Sequence, residues 1–211
     1  MKHYKRVLVL SPHVDDVEIG CGATISRFID EGKELFYVAF SLAQESIPKR
    51  FSKNITLIEN KNSMRVLGIE SKNITILNYK VRNFLEFRQN ILEDMVKLKI
   101  NINPDLVFTP SSYDMHQDHN VIYAESYRAF KHTSILGYEL IQNTQKFNNN
   151  MFISINIDNL KKKIKSIQEY KSQKHKPYMN SKIIESLALI RGVQSNNQFA
   201  ESFEVIRWNE R

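Results

Sequence analysis

Cysteine is nearly absent: the 211 residues hold one, Cys21. A single thiol closes no internal disulfide, so the sequence excludes a disulfide scaffold and fits a reducing compartment. Long apolar runs are missing too. No stretch approaches the roughly 20 residues that span a bilayer. The opening run Val7-Leu8-Val9-Leu10 is too short for a signal-peptide core, and no small-residue cleavage site follows it. The expectation is a cytoplasmic protein with no membrane span. No Gly-x-Gly-x-x-Gly follows the first apolar run. Gly20-Cys21-Gly22 falls inside a helical segment instead, which removes the dinucleotide-binding reading. Zinc-finger spacing, an aromatic-basic RNA motif, internal repeats and low-complexity linkers are also lacking.

What is present is an ordinary globular balance, 42% hydrophobic and 25% charged, over a length suited to one well-cored domain. The formal charge is +7. Its densest run, Lys161-Lys162-Lys163-Ile164-Lys165, lies in a predicted helix, where a solvated face is the simpler reading. No nucleic-acid partner is expected. The excess is compatible with an anionic substrate.

Strand-length apolar runs alternate with helix-period segments. Strands are predicted at Arg6–Ser11, Glu34–Ser41, Asn73–Leu77, Asp105–Thr109 and Ile135–Leu140. Helices are predicted at Ile19–Glu31, Asn54–Leu67, Phe84–Lys99 and Asn120–Lys131, with Gly32 and Gly68 as stops. Met151–Ile157 and Ser202–Arg207 read as further strands, and Asn159–Ser172 and Ser181–Ile190 as helices; Asn143–Asn150 reads as an exposed loop. The alternation predicts a single-domain α/β fold: Rossmann-like, with a mostly parallel sheet and helices on both faces.

Two polar clusters interrupt this pattern. Ser11-Pro12-His13-Val14-Asp15-Asp16-Val17-Glu18 follows the first strand, and Asp114-Met115-His116-Gln117-Asp118-His119 follows the fourth. Both fall at C-terminal strand ends, the rim where open α/β sheets bind ligands. Packing several ionisable groups there is costly without a task. Imidazole and carboxylate are good zinc ligands, and a catalytic zinc site uses three protein ligands with one position open. Another divalent ion is compatible with the same residue types.

These residues resemble the PIG-L/LmbE-like deacetylases, whose members carry Pro-His-x-Asp-Asp-Glu after the first strand and His-x-Asp-His after a later one. Here the stretches stand as Pro12-His13-Val14-Asp15-Asp16 and His116-Gln117-Asp118-His119. The likeness continues through Glu18–Thr24, Leu67-Gly68-Ile69, Gly137-Tyr138-Glu139, Lys171-Ser172-Gln173, Arg191-Gly192 and Ala200-Glu201-Ser202-Phe203. Val14 stands where Pro is common, and Val17 where many members have Glu, with Glu18 one place later. Thr56 stands where members often carry a substrate-binding Arg three residues before the helix Glu, here Glu59; Lys49, Arg50 and Lys53 are candidate replacements.

The resemblance implies Zn²⁺ as cofactor, held by His13, Asp16 and His119. It implies Asp15 as the general base toward water, and His116 as the oxyanion donor, oriented by Asp118 and raised in pKa by it. The implied reaction releases acetate and a free amine from an N-acetylated amino sugar or its anionic conjugate. The alternatives are hydrolysis of another amide or a phosphoester, or a catalytically inactive sugar- or metal-binding protein. Tyr113 is read as a carbonyl-polarising or packing residue, and Asp114 as a ligand-orienting or turn-forming one. Cys21, Phe203 and Trp208 are read as packing residues, and His3, His132 and His175 as surface residues.

Overall fold

A computed structural model describes residues 4–209. The chain alternates as predicted: β1 (Arg6–His13), α1 (Asp16–Asp30), β2 (Glu34–Ser41), α2 (Ile55–Leu67), β3 (Ile74–Ile76), α3 (Arg88–Ile102), β4 (Leu106–Pro110), α4 (Gln117–Ala129), β5 (Ser134–Tyr138), β6 (Met151–Ile155), α5 (Ile157–Gln168), α6 (Ser181–Gln194) and β7 (Phe199–Arg207). The seven strands form one sheet in the order β3-β2-β1-β4-β5-β7-β6. The five strands from β3 to β5 pair in parallel, and β7 pairs antiparallel with both β5 and β6.

β1 explains why helices cover both faces. Its side chains alternate between two apolar layers. Val7 and Val9 pack with Ile25 and Phe28 of α1, Met64 of α2, Leu160 of α5 and Ile184 of α6. Leu8 and Leu10 pack with Ile91 and Met95 of α3 and Ile122 and Ala129 of α4. All four are fully buried, which contributes roughly 1.5–3 kcal/mol per side chain. A strand buried on both faces must read as continuous apolar sequence, and Val7–Leu10 does.

The strand order places the site. From β1 the sheet grows one way through β2 and β3 and the other way through β4. The loops leaving β1 and β4 therefore diverge at the reversal, which opens a crevice beyond the carboxyl ends of these two strands.

Two local features set α1. Gly20 lies against the Tyr138 ring, so an added Cβ would sit 2.4 Å from a ring carbon. Cys21 breaks the helical dihedrals (φ −146°, ψ 20°). The amides freed by that kink, Ala23 and Thr24, donate to the Glu201 carboxylate at 3.2 and 2.6 Å. Glu201 is in turn paired with the buried Lys163 ammonium at 2.6 Å. Lys163 thus belongs to a buried ion pair, although the surrounding lysine run reads as a solvated face.

Some boundaries differ from the sequence reading. α1 and α4 each begin three residues earlier than predicted, because their first turns are made of polar site residues that carry no apolar period. α3 begins at Arg88, so Phe84 and Phe87 stand before it, in a turn in which Arg82 takes a positive φ of 69°. Among the described residues, no helix is long and apolar enough to cross a membrane.

Candidate metal centre

The last residue of β1 is His13 and the first of α1 is Asp16. Between them the chain reverses at Asp15, which holds φ 116° and ψ −26°, a region sparsely populated by residues other than glycine. Such strain costs on the order of 1–3 kcal/mol and persists only where its surroundings enforce it. Asp15 occupies the N-cap position of α1, yet its side chain makes no capping bond. Its carboxylate is left to the cavity, with Lys176 Nζ 3.9 Å away. The Asp16 carboxylate folds back to accept the His13 amide at 2.9 Å.

The second cluster is built the same way from β4. Asp114 Oδ1 accepts the His116 amide at 2.8 Å, a turn that delivers His116 to the N-cap of α4. His119 follows in the first helical turn. The sequence reading starts this helix at Asn120; α4 in fact begins at Gln117, so His116 and His119 straddle the helix start.

Three atoms from these two corners converge. His13 Nδ1 and Asp16 Oδ2 are 3.2 Å apart, His119 Nε2 and Asp16 Oδ2 are 3.2 Å apart, and His119 Nε2 and His13 Nδ1 are 3.2 Å apart. The opposite nitrogen of each ring meets a carboxylate. His13 Nε2 lies 2.8 Å from Asp118 Oδ2, and His119 Nδ1 lies 2.7 Å from Asp114 Oδ2. A neutral imidazole that donates from one nitrogen presents a bare electron pair on the other. Three buried electron pairs facing one another repel unless something positive sits among them. Metal–nitrogen bonds of about 2.0–2.1 Å at the tetrahedral angle separate ligand atoms by roughly 3.3–3.4 Å, close to the triangle found. His13, His116 and His119 also bring ring nitrogens within 4.8 Å of one another. That wider group fits less well, because His116 Nδ1 accepts the Asp118 amide at 3.2 Å.

The electrostatics report the same demand for positive charge. Burial opposes the charged form of His119, but Asp16 and Asp114 outweigh it and push its pKa up to about 10. Burial likewise opposes charge on His13, whose pKa is nonetheless raised by Asp118 and Asp16. Burial would raise Asp16, yet His119 and His13 hold it well below the usual carboxylate range. Asp15 differs: burial pushes it up to about 7, with Lys176 opposing and Asp16 adding to the rise.

Around this corner lies a cavity of about 370 Å³ lined also by Thr56, Arg82, Gln142, Gln173, Lys176 and Tyr178. The size is toward the lower end for small-molecule pockets. Thr56 Oγ1, Gln142 Oε1 and Gln173 Oε1 have no hydrogen-bond partner among the described residues. Buried polar atoms are rarely left so unless a ligand or water uses them.

The profile of the PIG-L family, GlcNAc-PI de-N-acetylase, matches residues 8–130, the stretch that contains both corners. The chain belongs to this de-N-acetylase family. It is similar to the uncharacterized deacetylase YaiS of Escherichia coli K12, with 26% identity over 172 residues, 80% of this chain and 91% of the relative. It shares its fold with the N,N'-diacetylchitobiose deacetylase of Pyrococcus horikoshii, solved with its inhibitor MPG: TM-score 0.76, 24% identity, 97% of this chain and 85% of that one. It shares the fold equally with GalB, the 4-carboxy-2-hydroxymuconate hydratase of Pseudomonas putida: TM-score 0.79, 17% identity, 98% and 99% coverage. One fold thus hosts a deacetylase and a hydratase, and the reaction must be argued from the site.

Set within the de-N-acetylase family, the predicted residues fall as follows. His13, Asp15, Asp16, His116 and His119 all line the cavity. Asp118 does not orient His116, as the sequence reading has it. Its Oδ2 faces His13 Nε2 and accepts the Arg82 amide at 2.7 Å, so it steadies His13. His116 is accordingly not held protonated. Burial, with the positive fields of His119 and His13, lowers it to about 4. Asp114 turns the loop through the His116 amide and sits against His119 Nδ1. Glu18 leaves the cavity and fastens α1 to its neighbours through Ser63 Oγ at 2.7 Å and Tyr170 OH at 2.6 Å.

Thr56 reaches the cavity, but Lys49, Arg50 and Lys53 do not line it; the cations that do are Arg82 and Lys176. Neither stands in a sequence motif singled out for chemistry, although Lys176 follows the Lys171-Ser172-Gln173 stretch by three residues. That stretch is pinned in place by Glu59, which accepts the Ser172 amide at 2.9 Å and its hydroxyl at 2.6 Å. Tyr113 is exposed and lies outside the cavity lining. Cys21 and Phe203 are buried core residues, Trp208 packs edge-on against Tyr4, and His132 and His175 are at the surface. His3 lies outside the described residues.

Proposed function

We propose that this protein is a zinc-dependent hydrolase that removes the acetyl group from an N-acetylated amino sugar or its conjugate, releasing acetate and a free amine. The observation that carries the reading is the triangle of His13 Nδ1, Asp16 Oδ2 and His119 Nε2 with 3.2 Å edges. These three atoms would hold the ion. Bound there, zinc supplies an acidified water and polarisation of the acetyl carbonyl.

The chain's own groups do the rest. Asp15, free of any capping bond, accepts the proton of the attacking water and returns it to the departing nitrogen. The Asp118 amide donates to His116 Nδ1, which puts the His116 proton on Nε2. His116 then acts as a neutral donor toward the oxygen that gains charge as the carbonyl becomes tetrahedral. A neutral imidazole at a helix N-terminus polarising a carbonyl has precedent in enzyme chemistry. Asp114 and Asp118 keep the two histidine rings aimed. Water adds across the amide: hydroxyl goes to the acetyl carbon and hydrogen to nitrogen, giving acetate and amine.

Support for a sugar comes from the cavity's unpaired acceptors on Thr56, Gln142 and Gln173, suited to ring hydroxyls, and from family membership. Among the described residues one group of three side chains able to hold a metal is found, His13, His116 and His119, at this same corner. That favours a single-ion amide hydrolase over the two-ion arrangement common in phosphoester cleavage. The test is acetate and free-amine release from a panel of N-acetylated sugars and a simple phosphodiester by the zinc-loaded protein. Release from at least one N-acetyl sugar, abolished by chelation and restored by zinc, is expected. Turnover of the phosphodiester alone would replace this reading.

A further inference from the structure

Gly137 stands inside β5, the strand between β4 and β7. Glycine weakens a strand interior, because it has no side chain to pack and loses the most backbone freedom. Positive φ does not call for it, as it does for Gly32 and Gly68. A side chain passing over it does. A Cβ on Gly137 would stand 2.9 Å from Ser111 Cα and 3.2 Å from Glu204 Oε2. Glu204 lies opposite Gly137 in the antiparallel register of β5 and β7. Its carboxylate crosses β5 at the vacant place and meets the chain as it leaves β4.

There it takes three bonds. Oε2 accepts the Ser111 hydroxyl at 2.7 Å and the Ser112 amide at 2.8 Å, and Oε1 accepts the Ser112 hydroxyl at 2.5 Å. Glu204 is buried, and a buried carboxylate is costly unless its oxygens are bonded. From these two serines the bonds run on to the site. Ser111 Oγ accepts the Tyr113 amide at 3.1 Å, and the Ser111 carbonyl accepts the Asp114 amide at 3.1 Å. Asp114 in turn accepts the His116 amide and faces His119 Nδ1. Backbone bonds from Ser111 N to the Tyr138 carbonyl at 3.2 Å and from Met115 N to the Asn143 carbonyl at 3.0 Å complete the frame.

We infer that Glu204 is a positioning residue for the reaction. Reaching through the gap at Gly137, it sets the turn that carries Asp114, His116 and His119. It thereby places one atom of the metal triangle and the donor to the oxyanion. The inference rests on the deacetylase reading for what that corner does; the frame itself stands on the bonds of Glu204. Glu204 does not line the cavity, so it acts through the turn and not on the substrate. A misplacement of about 1 Å caused far from the chemistry can cost on the order of 10²-fold in rate.

Two substitutions test it. Glu204→Ala deletes all three bonds. Glu204→Gln can keep them: its carbonyl oxygen replaces Oε2, and its amide donates to the Ser112 hydroxyl, which rotates to accept. Zinc affinity is measured by chelator competition, and kcat and KM on an N-acetyl sugar. Melting temperature and amide hydrogen exchange are measured on the metal-free protein. Glu204→Ala is expected to lose about tenfold or more in both zinc affinity and kcat, with KM within about twofold of the parent. The Tyr113, Asp114 and His116 amides should exchange faster. Glu204→Gln is expected to bring all of these back near the parent. If Glu204→Ala does not fold, Ser112→Ala removes a single bond and should show the same pattern in milder form. A lower melting temperature with parent-like zinc affinity, kcat and exchange in the turn would make Glu204 purely structural and overturn the inference. An effect confined to KM would also overturn it, as would Glu204→Gln no better than Glu204→Ala, which would show a need for the charge and not the bonds. A parent that takes up no zinc or releases no acetate removes the deacetylase reading alone; exchange in the metal-free protein still decides whether Glu204 sets the turn.

Discussion

Asp118 Oδ2 lies 2.8 Å from His13 Nε2, so the carboxylate that stands two residues after His116 steadies a histidine 105 positions away. Together with Asp114 at His119, it gives both imidazoles of the proposed metal triangle a carboxylate partner. Such partners fix the tautomer and ring orientation, and their loss typically lowers metal affinity about 10–100-fold. Asp118→Ala is therefore expected to weaken zinc binding by that order. Competition with a chromophoric chelator measures it. Unchanged zinc affinity with impaired turnover would return Asp118 to the support of His116.

Asp15→Asn is expected to leave zinc affinity near that of the parent and to lower kcat by about 10²–10⁴-fold, the usual cost of losing a general base. Asparagine also tolerates positive φ, so the turn at 116° is kept and the comparison is clean. Metal content and steady-state kinetics on the same preparation decide it. Loss of metal would make Asp15 a ligand.

His116 is lowered to about 4, first by burial and then by the fields of His119 and His13. A histidine with a depressed pKa favours the folded state above its unfolded value of about 6.5. That contribution is lost as the pH falls from there toward 4, because the unfolded chain takes up the proton first. At neutral pH the ring is uncharged, and nothing changes as the pH rises. His116→Ala should accordingly retain zinc and lose about 10²–10³ in kcat, by a factor that stays constant between about pH 7 and 9. An alkaline fall in wild-type rate that disappears in the variant would show a charged His116 instead.

The Lys163–Glu201 pair is buried on both sides and caps the kink in α1. Lys163→Met leaves the Glu201 carboxylate buried without its counter-charge. Breaking one side of such a pair typically costs about 3–5 kcal/mol. Chemical denaturation should show a loss of that order, with the double substitution Lys163→Met, Glu201→Gln recovering part of it. A single variant within about 0.5 kcal/mol of wild type would place Lys163 among solvated lysines.

The legible features share a cause. Val7–Leu10 declares a doubly buried strand by its composition alone, and His13 and His119 declare themselves by following strands that end at the same rim. What was not legible depends on where helix geometry sends side chains. Asp118 and His116 are sequence neighbours, but α4 begins between them, so one side chain turns to His13 while the other caps the helix. Phe84 and Phe87 have helical spacing with Ile91 and Met95, yet the positive φ at Arg82 precedes a turn, and Phe84 is spent packing beside the His13 ring at 5.8 Å. Arg82 and Lys176 reach the cavity from segments with no motif of their own, where only the folded chain reveals a shared destination.

His13, Asp16 and His119 are proposed to form a metal-binding triangle. Zinc titration of metal-free protein, run in parallel on the parent, Asp16→Ala and His116→Ala, tests it most directly. Protons must leave His119, raised to about 10 without a metal, so uptake should release protons and tighten as pH rises. One zinc per chain is expected in the parent, nearly the same affinity in His116→Ala, and a loss of tenfold or more in Asp16→Ala. No uptake by the parent, or the reverse ranking of the two variants, would contradict it.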